Sequence, residues 1–350
     1  DSTLERLHGE AQLALGRLDG IVSLLPAPEQ FLYAYVRKEA VASSQIEGTQ
    51  SSLSDLLLFE LEEVPGSPVD DVVEVSNYIA ALDHGMARLR EGFPLSNRLL
   101  REMHAILMSK GRGGDKEPGE FRRSQNWIGG TRPGNARFVP PPPPEVEPCM
   151  AALEAFLHEE AVGLPVLVKA ALAHVQFETI HPYLDGNGRI GRLLIAALLE
   201  HWQLLSEPLM YLSGYLKQHQ AEYYRRLSAI RTDGDWEGWI RFFLEAVQNA
   251  AAKSERDVVA LANLVANDRR RLLANTKSNA VSHRLFELLP TMPRLSVDRV
   301  CAVLQTTFPT ANMAIKLLEE LNILVEVTGQ KKNRTFSYGA YIKLLSQSES

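Results

Sequence analysis

The sequence predicts a mainly α-helical protein, interrupted by one short β-hairpin and ending in a small α+β module of winged-helix type. Apolar residues recur at three-and-four spacing through most of residues 4–275, and one Gly/Pro/Asn-rich stretch breaks that period. After Asn275 the order becomes helix, turn, helix, hairpin.

Taken in order, LERLHGEAQLALGRL, EQFLYAYVRKEAVASS, DDVVEVSNYIAALDHGMARLR, NRLLREMHAILMS and VLVKAALAHVQFETI each carry the helical repeat. Ser96 caps one helix, Pro118-Gly119 closes the turn after it, and Pro148 and Pro165 suit first-turn positions. In QNWIGGTRPGNARFVPPPPP, residues 125–129 and 136–139 read as two short strands around a turn, and Pro140–Pro144 then act as a stiff connector. LSVDRVCAVL and TANMAIKLLEELN follow as helices joined by TTFP, with ILVEVTG and RTFSYG as strands around a basic wing.

With 45% apolar residues in 350, the chain can bury one large core or two modest ones. Cys149 and Cys301 lie far apart, which argues against a disulfide scaffold. No apolar run nears the ~20 residues a membrane span needs, so a cytoplasmic chain with no membrane partner is expected. The net charge of −6 is uneven: residues 253–350 carry 14 Lys and Arg against 9 Asp and Glu, where residues 1–252 carry 23 against 34. Phosphate neutralisation dominates non-specific DNA affinity. The second helix of the terminal module sets Lys316 against Glu319 and Glu320, and only Lys331, Lys332 and Arg334 in the wing suit DNA. Protein docking is therefore as good a reading of that module as DNA binding.

The densest chemistry is HPYLDGNGRIGR, residues 181–192, between an apolar helix and the helical RLLIAALLEHWQLL. A Gly-rich loop feeding a helix N-terminus is an anion site, because backbone N–H groups converge there at the positive end of the dipole. Arg189 and Arg192 lie three apart on one face, which suits a polyphosphate. Asp185 is a carboxylate for Mg²⁺, which takes its other ligands from phosphate and water. His181 is placed to take a proton from an attacking hydroxyl. Zinc lacks ligands here, and a Walker loop lacks its preceding strand and lysine.

HPYLDGNGRIGR resembles the signature of the Fic family, HPFx[D/E]GNGRxxR, departing only at Tyr183. The resemblance extends from about Val72 to Asn249 and implies a Fic-type helical core with a hairpin flap. It also implies transfer of AMP from ATP, with Mg²⁺, to a Ser, Thr or Tyr hydroxyl of a protein, the chain itself included. On that pattern His181 is the general base, Asp185 the metal ligand, and Gly186, Asn187 and Gly188 the anion hole. Arg189 and Arg192 grip the phosphates, Arg192 the terminal one. Ile128 and Gly129 are the flap's target-docking residues, with Tyr211 and Tyr215 as candidates for the adenine wall.

A second stretch, SSQIEG at 43–48, resembles the family's inhibitory motif [S/T]xxxE[G/N] through Ser43, Glu47 and Gly48. The implied brake is a Glu47–Arg192 pair that denies the arginine to the γ-phosphate. The resulting expectation is an autoinhibited adenylyltransferase. The same pocket run in reverse, removing AMP, is one alternative, and a nucleotide-sensing winged-helix regulator is another. The expected divisions are an N-terminal helical region at 1–70 with its inhibitory helix near 28–48, a core at 71–250, a helical connector at 251–278 and the winged helix at 279–346. The amphipathic N-terminal helices leave a homodimer open.

Overall fold

The computed structural model describes residues 2–25, 27–61, 66–111, 113–159, 163–330 and 332–347. Lys331, singled out above in the wing, lies outside them.

The N-terminal half runs through α1 (Ser2–Ser23), α2 (Pro28–Ile46), α3 (Leu53–Phe59), α4 (Val69–Arg90) and α5 (Asn97–Leu107). The core is completed by α6 (Pro143–His158), α7 (Val166–Ile180), α8 (Asn187–His201), α9 (Leu212–Gln218), α10 (Gln220–Asp233) and α11 (Trp236–Leu273). On α1, Leu7, Ala11, Ala14, Leu15, Leu18 and Val22 form the stripe that three-and-four spacing demands, and it packs on α11. By contrast, α7 is apolar nearly all round, with Leu167, Ala171, Val175, Phe177 and Ile180 among its buried residues, and so serves as a central helix beside α8. This places the His181–Arg192 stretch at the α7–α8 junction, inside the molecule.

The C-terminal module is α12 (Ala280–Leu288), β1 (Arg294–Ser296), α13 (Val297–Leu304), α14 (Phe308–Glu320), β2 (Val325–Glu326), β3 (Thr335–Ser337) and α15 (Gly339–Gln347). Its antiparallel sheet has the order β1-β3-β2, with Leu295 opposite Phe336 and Glu326 opposite Phe336. Gln30 on α2 bonds the Glu287 carbonyl at 3.1 Å and Arg294 bonds the Ser54 hydroxyl at 2.5 Å, so the module leans on the N-terminal helices.

Several expectations are corrected. The hairpin is a single Ile128–Phe138 bridge, not two strands, with a 3₁₀ turn at Pro133–Asn135. Gly129 and Gly130 adopt positive φ, and the side chains of Gln125 and Asn126 bond elsewhere, so pairing cannot propagate. The proline run does not stay a connector: Pro143 and Pro144 open α6, where a missing N–H costs nothing. Pro148 is then past the first turn of α6, not within it. Ser52 and Asp55 form a capping box that starts α3, an element the period alone is too short to reveal. The structure adds β1 and α15, which the pattern does not predict, and α11 runs unbroken through residue 250.

Candidate functional site

α7 ends at His181, which caps it in the left-handed conformation with φ 50° and ψ 61°. The turn throws the imidazole sideways, half-buried, into a cavity of about 180 Å³ that also touches Glu47, Ile128, Phe138, Gly188 and Arg192. Burial, reinforced by the Arg231 guanidinium, holds the imidazole down at about 4. It is therefore neutral near pH 7 and able to accept a proton.

The loop after it is tied by Asn187, whose amide accepts from the Tyr183 N–H at 2.9 Å and donates to the Tyr183 carbonyl at 2.8 Å. Gly186 caps α8 at φ 76°. The first bond of α8 runs from Ile190 N–H to Gly186 C=O, so the amides of Asn187, Gly188 and Arg189 have no helical acceptor. A side chain on Gly188 would overlap Glu47 Oε1: the Glu47 carboxylate packs against the Gly188 backbone in the first turn of α8.

That carboxylate arrives from α2, which ends at Glu47 with Gly48 at φ 97°, the left-handed residue after a helix end that glycine accepts without strain. Arg192 donates from Nη2 to Glu47 Oε1 at 2.7 Å and to the Ser43 carbonyl at 2.9 Å, and from Nε to the Ser43 hydroxyl at 2.8 Å. The guanidinium is buried while the Glu47 side chain is 35% exposed. Burial opposes the charge of Arg192, but Glu47, Tyr223 and Glu178 together outweigh it and the guanidinium is held more firmly protonated than usual.

The other candidates are placed as follows. Asp185 is exposed, and its Oδ1 accepts the Gly186 N–H at 2.6 Å. A Cβ on Gly113 would come 2.9 Å from Asp185 Oδ2, so that oxygen packs close against the glycine. Among the described residues no three acidic, His or Cys side chains form a metal cluster. Arg189 is turned to Glu74 at 3.1 Å and its buried Nε has no partner. Ile128 lines the cavity, and Gly129 follows it at φ 68°. Tyr211 and Tyr215 do not line the cavity: α9 packs on α2 and α11, turning Tyr211 over Lys38 and stacking Tyr215 on His219. The aromatic wall beside His181 is Tyr223 and Tyr224 of α10.

Two family models match the chain: "Fic/DOC family N-terminal" at residues 5–87 and "Fic/DOC family" at residues 94–199, the second spanning the whole His181–Arg192 stretch. The chain belongs to the Fic/DOC family. Protein adenylyltransferase Fic of Drosophila erecta is 30% identical over 211 residues, 58% of this chain and 38% of that protein. Its counterpart in Culex quinquefasciatus is 32% identical over 213 residues, with the same two shares of 58% and 38%. This Fic chain thus spans well under half the length of these curated relatives. A Fic family protein from Desulfovibrio desulfuricans G20 shares the fold over 96% of both chains, with TM-score 0.60 and 20% identity. Fic-1 of C. elegans does so over 74% of this chain and 75% of that one, with TM-score 0.56 and 20% identity.

Sequence reasoning passed over several residues of this Fic site. His104 Nδ1 accepts the Gly119 N–H at 2.8 Å, so its Nε2 carries the proton and donates to the Asp185 carbonyl at 3.0 Å. It stacks on Tyr183 at 3.7 Å, and burial lowers it to about 4. Glu178, one turn before His181, is buried against Gly191; burial pushes it up to about 7, and its Oε1 has no partner. Arg231 donates to the Glu178 carbonyl at 2.9 Å and lies 4.1 Å over the Phe138 ring. Only the EYYRRL run held a cue to this wall, since Tyr224 and Leu227, adjacent on a helix face, both line the cavity.

Proposed function

We propose that this chain is an autoinhibited protein adenylyltransferase that moves AMP from ATP to a hydroxyl of a protein. The observation that carries the reading is the Glu47 carboxylate packed against Gly188 in the first turn of α8 and paired with Arg192 at 2.7 Å, beside the donors a polyphosphate would use. One anion stands in the seat of another.

With Glu47 withdrawn, the amides of Asn187 and Gly188 and the Arg192 fork receive the phosphates, and Arg189, braced by Glu74, is the second guanidinium for them. Asp185 would hold Mg²⁺, which when bound neutralises phosphate charge and steadies the leaving pyrophosphate. Tyr223, Tyr224 and Leu227 offer a wall for the base. The neutral His181 takes the proton of the target hydroxyl as its oxygen bonds the α-phosphorus. The bond from that phosphorus to the β-phosphate bridge breaks, and pyrophosphate leaves. The free edge around Ile128 registers the target backbone beside His181.

Glu47 and His181 share one cavity, which favours a second reading in which Glu47 orients a water that removes AMP. Supplying the Glu47→Gly variant with ATP labelled at the α- or the γ-position tests the first reading. Protein-bound α-label and free γ-label are expected; protein-bound γ-label would mean phosphate transfer. Release of AMP from pre-labelled protein by the unaltered chain tests the second.

A further inference from the structure

One buried guanidinium joins the flap stem to the His181 loop. Arg122 is 2% exposed and its charge is weakened by burial, with no carboxylate partner among the described residues. Instead it serves backbone carbonyls. Nε donates to His181 at 2.9 Å, Nη2 to Pro141 at 2.5 Å and to Ile180 at 3.3 Å, and Nη1 to Ser124 at 3.4 Å. Its own backbone N–H donates to Pro182 at 2.9 Å. Nearby, Asn126 Nδ2 donates to Tyr183 at 2.9 Å and to His181 at 3.4 Å. All four carbonyls from Ile180 to Tyr183 are thus held by one five-residue segment.

A helix C-terminus welcomes a cation, and that alone would make Arg122 a cap for α7. Two features go further. His181 is a non-glycine residue in the left-handed region, a conformation that persists only where its surroundings impose it. And the same guanidinium reaches Ser124 and Pro141, which lie on the two stems of the Ile128–Phe138 hairpin. Only a planar fork with several fixed donors spans such a set; a lysine keeps the charge and loses the geometry.

We propose that Arg122 is a positioning residue that fixes the His181 backbone to both stems of the hairpin, so that base and docked target hydroxyl stay in one register. This rests on the adenylyl-transfer reading above.

The test uses the full chain with Glu47→Gly as parent, adding Arg122→Lys or, as a milder second variant, Asn126→Ala. Arg122→Lys is expected to keep Mg·ATP affinity within about 2-fold while lowering the maximal labelling rate by about 100-fold, the cost of misplacing a reacting group by an ångström. Asn126→Ala should lower it by about 10-fold. Labelling at the parental rate, or a loss matched by lost ATP affinity, would overturn the proposal. Imidazole resonances in ¹H–¹⁵N spectra decide the point without turnover: Arg122→Lys should move the His181 ring signals and leave those of His174 in place. Unmoved His181 signals would refute the positioning role. A parent that transfers no label while the His181 signals do shift would instead sink the adenylyl reading alone.

Discussion

Arg192 and Glu47 meet at 2.7 Å across 145 positions of sequence, the guanidinium buried and the carboxylate 35% exposed. The asymmetry matters. Arg192 lies within α8, whereas Glu47 caps the end of α2 beside Gly48 and keeps part of its side chain in solvent. Any relief of the pair falls to Glu47.

Ser43 shares the task of holding Arg192, through its hydroxyl at 2.8 Å. Ser43→Ala removes one hydrogen bond to a charged group, worth about 1.5–3 kcal/mol at most and less once Glu47 compensates. Label transfer by Ser43→Ala should rise about 3- to 10-fold over the unaltered chain and stay below that of Glu47→Gly.

Gly188→Ala puts a methyl where Glu47 Oε1 lies. With Glu47→Gly already in place that overlap is gone and only Arg192 Nη1, 3.2 Å from the added Cβ, must give by a few tenths of an ångström, so alanine, a better helix former by about 1 kcal/mol, should leave thermal stability unchanged. The methyl still fills the amide nest. Calorimetry should therefore show Mg·ATP affinity falling by at least about 10-fold in the double variant, with no loss of melting temperature.

Tyr183 stands where the family signature has phenylalanine, and its hydroxyl is fully buried with no partner. An unsatisfied buried hydroxyl costs about 1–3 kcal/mol. Tyr183→Phe should raise the unfolding free energy by about 1 kcal/mol in urea titration, with labelling by the Glu47→Gly form unaffected.

Acid stability follows from buried titratable groups. Burial depresses His104 to about 4, His174 to about 3 and His181 to about 4. The unfolded chain takes up these protons from pH 6.5 downward, so each histidine's contribution is complete above 6.5 and is lost as pH falls towards its folded value. Glu39 and Glu178, both raised to about 7 by burial, act oppositely between 4.5 and 7, where the folded state holds the extra protons. Three histidines outnumber two carboxyls, so from pH 6.5 to 4.5 a net of about one proton, roughly 1.4 kcal/mol per pH unit, works against the fold, and below 4.5 the histidines act unopposed. Urea midpoints should be highest near pH 6.5, decline gently to about 4.5 and fall more steeply from 4.5 to 4; midpoints unchanged between pH 6.5 and 4 would contradict this.

What the sequence disclosed depended on distance along the chain. His181, Asp185, Gly186, Asn187, Gly188, Arg189 and Arg192 occupy one loop and one helix start, so spacing alone put their groups together. Ser43 and Glu47 form an ordinary helix-surface pair until a resemblance connects them to a site well over a hundred positions away. Arg122, Asn126, Glu178 and Arg231 carry no local pattern, because each is defined by the carbonyls or rings it reaches in other segments. Tyr211 and Tyr215 lie away from the His181 cavity, and a short helix gives no sign of which neighbour it faces; α9 faces α2 and α11. The hairpin was over-read because turn residues are legible, whereas the use of Asn126 to hold the Tyr183 carbonyl is not.

If Glu47, with Ser43 as its helper, keeps the transfer site idle, the most direct measurement is the initial rate of α-labelled AMP incorporation with Mg·ATP. The unaltered chain, Glu47→Gly, and Glu47→Gly with His181→Ala are compared. The expected result is a rate at least about 10-fold above the unaltered chain for Glu47→Gly, the effect of about 1.4 kcal/mol, and none when His181 is also replaced. Equal rates with and without Glu47, or labelling that survives His181→Ala, would contradict it.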